Sequence, residues 1–331
     1  MHLIKLEKLD ESVLKNRKVC AVIGFFDGVH LGHKKIITRC TERAEQKKGV
    51  SVAFTFDKPP VNIIKGRLDK KLITSYSDKI KLLALTGVDY IVVARFDSGF
   101  ANLEPEKFCS EILEKKLHIK ELFIGEGFRF GKDSAGDIDF LRNYFSRDDV
   151  KINEVDIFRI DEIPVSSTEI RKFYSRGDIE NVTRFLGRIP SIKGTVVSGD
   201  RRGRLVGFPT ANIDVFEKYV TPADGVYAGY VHIFYSRRDS QSGDTDKATD
   251  EAHRLPAVIN IGNNPTFSGK RKWVESHIIE FNENIYGKKI EVFFVAKLRN
   301  EITFTGKSEL VEQVRADIER AKNYFKKPVL E

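Results

Sequence analysis

Cysteine is scarce in this chain of 331 residues: there are three, Cys20, Cys40 and Cys109, an odd number without C-x-x-C spacing or paired His-x-His ligands. Neither a disulfide framework nor a zinc site of common spacing is expected, and the three thiols read as small buried apolar residues. No apolar stretch approaches the roughly 18 residues that cross a bilayer. The opening Met1-His2-Leu3-Ile4-Lys5-Leu6-Glu7 also lacks the long apolar segment of a secretion signal. The expectation is a cytoplasmic protein with no membrane partner. Glycine (24) and proline (10) stand at ordinary levels, which excludes collagen-like and low-complexity chains. Long blocks of consecutive Lys/Arg are missing too. A net charge of +8 suits anionic partners, but the basic residues are mixed with acids, so nucleic acid is not the expected one. Phosphorylated small molecules fit the same charge.

What is present, 41% hydrophobic and 31% charged residues over this length, points to two globular domains. The first, residues 1–186, alternates apolar runs of strand length (Val19 to Phe25, Val50–Phe56, Tyr90–Ala94, Leu122–Ile124, Val150–Val155) with helical patterns (after His30, at Lys79–Leu85 and at Glu106–Lys115). That is the pattern of an α/β fold with a Rossmann-like parallel sheet. After Gly187 the pattern becomes short strands separated by turn residues, which predicts a small β-barrel over residues 187–331. The strands are expected at Lys193–Ser198, Gly225–Phe234, Ala257–Ile261, Trp273–Phe281 and Lys289–Leu298. A closing helix is expected at Lys307 to Phe325, where Leu310, Val311, Val314, Ile318, Ala321 and Phe325 form a stripe. The polar stretch from Ser236 to His253 reads as a solvated insertion without a catalytic role.

His30-Leu31-Gly32-His33 follows a strand and opens a helix, so two imidazoles three residues apart share one face beside free N–H groups. Such an end attracts phosphate, and the glycine allows close approach. Ser166-Ser167-Thr168-Glu169-Ile170-Arg171 contains an S-x-x-E capping box that starts another helix with Arg171 one turn in. Each alone also fits an ordinary turn or cap. Both belong at the carboxyl edge of a parallel sheet, where such folds bind ligands. In the second half, Gly207-Phe208-Pro209-Thr210-Ala211-Asn212 closes an arginine-rich loop that begins at Gly199. Glycine N–H groups there can face phosphate, while Thr210 and Asn212 offer neutral oxygens to Mg²⁺; a plain basic hairpin is the competing reading. Asn260-Ile261-Gly262-Asn263-Asn264-Pro265-Thr266-Phe267 reads as a turn-rich bend. In Val274 to Phe281, period-two alternation puts Glu275 on one face with His277, Ile279 and Phe281. A carboxylate beside apolar neighbours is either salt-bridged or a general base.

The segments Ile23 to His33, Gly125-Glu126-Gly127-Phe128-Arg129-Phe130-Gly131 and Ser166 to Arg171 resemble the adenylyltransferase module of bacterial bifunctional riboflavin kinase/FAD synthetases. The G-F-P-T-A-N loop, Glu275 and Leu298-Arg299-Asn300-Glu301 resemble the riboflavin kinase module of that family, in the same order. The resemblance implies a nucleotidyltransferase domain followed by a riboflavin kinase domain. It implies ATP contacts at Gly24, Asp27, Gly28, His30, Gly32, His33, Ser167, Thr168 and Arg171 in the first, and at Gly207, Thr210 and Asn212 in the second. Mg²⁺ would sit on Thr210 and Asn212. Phe56, Phe128, Phe130 and Arg299 would meet flavin, and Glu275, His30, His33 and Arg171 would carry the chemistry. The implied partners are ATP, riboflavin, FMN and FAD. Two departures stand out: Gly127 occupies the family's Asp/Asn position, and Asp57-Lys58-Pro59-Pro60 lacks the histidine usual there. They leave open a kinase whose first domain is inactive or uses another acceptor, and the basic charge leaves open a nucleic-acid-binding regulator.

Overall fold

A computed structural model describes residues 1–66, 70–147, 149–198, 207–214, 219–235, 254–263 and 272–325. By packing, the chain divides into two compact units, Met1–Glu169 and Ile170–Glu331. In the first, six strands run parallel: β1 (His2–Lys5), β2 (Val19–Ile23), β3 (Val50–Phe56), β4 (Tyr90–Ala94), β5 (Ile119–Gly125) and β6 (Lys151–Val155). Every residue of β2 and β4 is buried. Strands covered on both faces read as continuous apolar runs, which is why these segments were visible without alternation. Helices α1 (Leu31–Gln46), α2 (Pro60–Ile64), α3 (Tyr76–Ala84), α4 (Ser98–Ala101), α5 (Pro105–Lys107) and α6 (Ile138–Tyr144) lie between the strands. The expected helix at Glu106–Lys115 is α5 continued by π-wound turns over Phe108–Lys116. On α1, Ile36, Ile37, Cys40 and Ala44 form the buried stripe. The three cysteines are buried free thiols. Burial raises Cys20 to about 11 and Cys109 to about 12, which keeps them protonated and inert.

The sheet order is β1-β4-β3-β2-β5-β6. From β2 the chain steps outward through β3 and β4, then returns to place β5 on the other side of β2. The reversal between β2 and β5 opens a crevice at their carboxyl ends, the usual ligand position in open α/β sheets. A short hairpin, β7 (Arg159–Ile160) with β8 (Ile163–Pro164), precedes α7 (Ser167–Arg176) and α8 (Ile179–Leu186).

The second unit contains a closed antiparallel barrel in the order β10-β13-β12-β11-β14-β9, with β9 also paired to β10. Its strands are β9 (Ser191–Val197), β10 (Ala211–Asp214), β11 (Gly225–Phe234), β12 (Leu255–Asn263), β13 (Lys272–Ile278) and β14 (Lys289–Arg299). Tyr227, Ile259, Val274, Ile290 and Phe294 fill the interior. The closing helix α9 (Lys307–Phe325) lays Ile318, Ala321 and Phe325 against Val226, Ala228, Val258 and Leu298.

The packing division falls inside α7, earlier than the change of pattern at Gly187. The reason lies in α7 and α8: Ile179 belongs to the barrel core, and Ala223 N–H bonds Tyr174 O at 2.9 Å. Two expectations need correction. Asn260 is a strand residue of β12, as the run Ala257–Ile261 predicts, but the strand continues through Gly262 to Asn263, where the turn-rich reading has a bend. β13 ends at Ile278; Ile279 still packs beside Val258 on the outer face, but after the left-handed Glu280 (φ 58°) Phe281 packs against the barrel core and does not extend the face of Glu275. The loop over 199–206, the insertion 236–253 and residues 264–267 lie outside the described residues. No helix among the described residues is long and apolar enough to cross a membrane.

Candidate functional site

The two loops that leave β2 and β5 flank the sheet's reversal point, and they carry H-x-G-H and G-x-G-F-x-F-G respectively. After β2 the backbone is strained: Phe26 (φ 55°), Gly28 (φ 85°) and Val29 (φ 40°) all adopt positive φ within four residues. For a β-branched residue such as Val29 this geometry is held only when its surroundings over-determine it. They do. The Asp27 carboxylate, 4% exposed, accepts from Ile73 N–H (3.0 Å) and Thr74 N–H (3.2 Å). Gly28 N–H donates to Thr74 Oγ1 at 3.2 Å, and Ser167 Oγ–H donates to Asp27 O at 2.9 Å. Asp27, expected at ATP, thus builds the turn with its side chain.

The turn delivers His30 as the N-cap of α1, its Nδ1 accepting from His33 N–H at 3.2 Å. A ring nitrogen that accepts is unprotonated, so His30 carries its proton on Nε2. The two imidazoles stack with centroids 3.6 Å apart and 17° between planes, and Phe26 packs edge-on against His33 at 5.3 Å. Burial first, then His30, then Lys79 hold His33 far below the usual imidazole range. Its Nδ1 is sealed from solvent and has no hydrogen-bond partner among the described residues. Such an orphaned polar atom is uncommon in a folded chain. The pair brings a neutral His33 and an Nε2–H donor on His30. Gly32 is needed here: an added Cβ would stand 2.8 Å from Val165 O.

After β5, Gly127 (φ 71°) has none of the described residues within 4 Å of an added Cβ, so no described side chain fills the position where the family has Asp/Asn. Phe128 stacks on Phe130 at 5.7 Å, and Phe130 connects through Phe108 (5.2 Å) and Phe100 (6.2 Å) to Phe56 (5.6 Å). The three expected flavin aromatics therefore belong to one cluster. Gly24 packs under the Phe26 ring. On α7, Glu169 N–H donates to Ser166 Oγ at 3.2 Å, the expected cap, with Ser167, Thr168 and Arg171 in the first turns.

In the barrel, strand register does the assembling. Asn212 pairs with Glu275, Glu275 with Asn260, Asn260 with Val226, and Val226 with Arg299. Directly paired residues point to the same face, so three expected site residues from three separated motifs form one row across five strands. Asn260, which the sequence offered both as part of the strand Ala257–Ile261 and as the start of a bend, stands beside Glu275 in that row. Glu275 is half-buried, on the opposite face of β13 from the buried Val274, Ser276 and Ile278. Next to the row, a cavity of about 350 Å³ is lined by Thr210, Asn212, Ser276, Phe281, Asn282 and Tyr286. That is a size suited to small molecules. His277 Nδ1 meets Pro209 O at 2.9 Å. Because a carbonyl only accepts, His277 donates, pinning the segment that carries Thr210. Gly207 lies exposed just before it in a left-handed turn (φ 87°).

Arg299 is less open to a ligand than its motif suggested. Its Nε and Nη2 donate to the Asp317 carboxylate at 2.8–3.1 Å and Nη1 to Asn300 O at 3.0 Å, with Asp317 1% exposed on α9. Glu301 lies against the backbone of Gly262. Burial, then Asp224, hold its carboxyl above the usual range.

A stacked histidine pair that opens a helix in one unit, and in the other a cavity lined by Thr210 and Asn212, with Glu275 paired to Asn212 but not among the lining residues, place the chain in the class of proteins with two separate candidate ligand sites. Comparison narrows that class. Residues 13–169 match the family model for FAD synthetase, and residues 186–325 match that for riboflavin kinase. The chain belongs to the bifunctional riboflavin kinase/FMN adenylyltransferase family. The member from Buchnera aphidicola (Schizaphis graminum) is 34% identical over 313 residues, covering 94% of this chain and 95% of the relative. The Escherichia coli K12 member is 33% identical over 303 residues, covering 92% and 91%. A crystal structure described as a macrolide-efflux protein from Streptococcus pneumoniae superposes with a TM-score of 0.82 at 27% identity, over 98% of this chain and 99% of that one.

Proposed function

We propose that the two domains catalyse successive reactions: residues 187–331 phosphorylate riboflavin with ATP to FMN and ADP, and residues 1–186 join FMN to the adenylyl group of a second ATP, giving FAD and pyrophosphate. The observation that carries this reading is convergence. The β2 and β5 loops meet the sheet's reversal point, and the barrel register aligns Asn212 with Glu275.

In the kinase step, Glu275 takes the proton from the ribityl 5′-hydroxyl as that oxygen attacks the γ-phosphorus. The new O–P bond forms as the bridge to the β-phosphate breaks, and ADP leaves. Thr210 and Asn212 fit Mg²⁺ by their chemistry: neutral, hard oxygens beside the cavity. Among the described residues there is no group of three or more His, Cys, Asp or Glu that could hold a metal alone. An ion that keeps water and substrate phosphate as its other ligands suits such a site. Mg²⁺ supplies charge neutralisation on the phosphates when bound. Arg299 serves the flavin side by anchoring Leu298–Glu301 to α9.

In the adenylyl step, a phosphate oxygen of FMN attacks the α-phosphorus and pyrophosphate departs. Two anions must be brought together, so positioning and charge neutralisation carry the catalysis. His30 and His33 contact the triphosphate, while Ser167, Thr168 and Arg171 steady the leaving group. Gly24, Asp27, Gly28 and Gly32 shape the turn. Phe56, Phe128 and Phe130 receive the flavin. The partners are these small molecules, without nucleic acid, and the compartment is the cytoplasm, where the free thiols stay reduced.

The test is a pair of variants assayed for both products. Glu275→Gln is expected to abolish FMN formation and leave conversion of supplied FMN to FAD intact. His30→Ala with His33→Ala is expected to do the reverse. Parallel loss of both products in either folded variant would contradict the division of labour.

A further inference from the structure

Lys79 lies on α3, far in sequence from every motif above, and is 3% exposed. Its Nζ donates to Phe56 O at 2.7 Å, to Phe25 O at 3.1 Å and to Thr55 Oγ1 at 3.3 Å. It also stands 4.1 Å from the centroid of the Phe25 ring. An ammonium has three N–H donors, and here all three go to the carboxyl ends of two adjacent strands. Thr55 Oγ1–H in turn donates to Phe25 O at 3.2 Å, closing a small network around the ammonium. Phe25 is the residue immediately before the strained turn Phe26–Val29 that leads to His30. Burying a charge is costly, and an apolar side chain of the same length would fill the space without that cost. The charge must therefore serve the strand ends it grips.

We propose that Lys79 is a positioning residue of the adenylyl-transfer site, its ammonium tying the ends of β2 and β3 together so that the following turn presents His30 and His33 in working geometry. This rests on the reading of residues 1–186 as the adenylyl-transfer domain. The groups that face the ammonium come from several elements. They are Asp27 after β2, Asp57 after β3, His33 on α1 and the Tyr76 ring 5.9 Å away on α3 itself. Both carboxylates are engaged with backbone amides, Asp27 as above and Asp57 with Phe96 N–H at 2.8 Å. Burial draws the ammonium down from 10.5 to about 8, against the pull of Asp27 and Asp57. His33 titrates far below that region, and burial raises the Tyr76 phenol above its ordinary range.

Between pH 7 and 9 the ammonium loses its proton and one donor. Stability moves the other way. The folded value lies below the unfolded one, so the unfolded chain binds more protons between about 8 and 10.5, and this group's contribution to stability rises with pH across that window. A loss of activity through this lysine is therefore distinguishable from unfolding.

The experiment measures FMN-to-FAD and riboflavin-to-FMN rates of the full chain at saturating ATP and Mg²⁺ from pH 7 to 9, with the thermal midpoint followed in the same buffers. The wild type is expected to lose about tenfold in FAD formation relative to FMN formation over those two units, as titration near 8 requires. Lys79→Arg, which stays charged, is expected to keep a flat ratio. Lys79→Met is expected to form FAD at least tenfold more slowly at pH 7, again with a flat ratio and with FMN formation intact. A flat wild-type ratio, or wild-type FAD formation by a folded Lys79→Met, would overturn the proposal. If the methionine variant does not fold, the wild-type profile decides alone. Absence of FAD formation in the wild type at every pH would instead overturn the reading of the domain, and this inference with it.

Discussion

A single methyl group would disturb the His pair. At Gly32 an added Cβ meets Val165 O at 2.8 Å and the His30 ring at 3.2 Å. The carbonyl belongs to backbone and cannot swing aside, so α1 or the segment before α7 must shift. Overpacking of this kind costs about 1–3 kcal/mol. Gly32→Ala is expected to lower FAD formation from FMN by at least tenfold while riboflavin phosphorylation continues, and unchanged FAD formation would show that the close approach is dispensable. At this scale the sequence was informative where chemistry is local. The three-residue spacing of His30 and His33 put both rings on one face, and they do stack. It was silent where a partner is distant. Nothing near His277 announced Pro209 O, 68 residues earlier. Nothing near Asp27 announced that its carboxylate would hold the amides of Ile73 and Thr74.

Between elements, register carries the information that spacing lacks. Asn260 lies within the expected strand Ala257–Ile261, yet nothing in that run states its partner, and in β12 it pairs directly with Glu275. The buried side of β13 was legible from alternation, but its end was not, because the turn at Glu280 depends on backbone geometry that residue type does not dictate. Arg299 shows the same limit: its motif suggested a ligand contact, and α9 claims the guanidinium. With Arg299 largely covered and Asp317 almost wholly so, removing one partner leaves the other charge buried, at about 3–5 kcal/mol. Asp317→Ala is expected to lose about that much stability in denaturant unfolding, followed by the fluorescence of Trp273, the chain's one tryptophan, which lies in the barrel. FMN formation should fall with it and FAD formation from FMN should persist. A variant with wild-type unfolding and full kinase activity would remove Arg299–Asp317 from the account.

At the scale of the whole molecule, the parallel sheet, the barrel and the closing helix were all legible, because each follows from a hydrophobic period that changes once along the chain. The strand order was not legible. No local pattern states that β5 returns to the other side of β2, and that reversal is what brings the His30 and Phe130 loops to one crevice. Two centres on one chain imply an ordered conversion in which the product of the barrel is the substrate of the sheet domain. The open space at Gly127 makes the second step the more demanding claim. The most direct measurement is a time course: purified chain with riboflavin, excess ATP and Mg²⁺, flavins separated chromatographically, beside a parallel reaction started from FMN. The account expects FMN to rise and then give way to FAD, with FAD forming at once in the parallel reaction. FMN that accumulates in the first reaction and remains unconverted in the second would contradict it, and would leave a riboflavin kinase joined to a nucleotidyltransferase fold with a different acceptor.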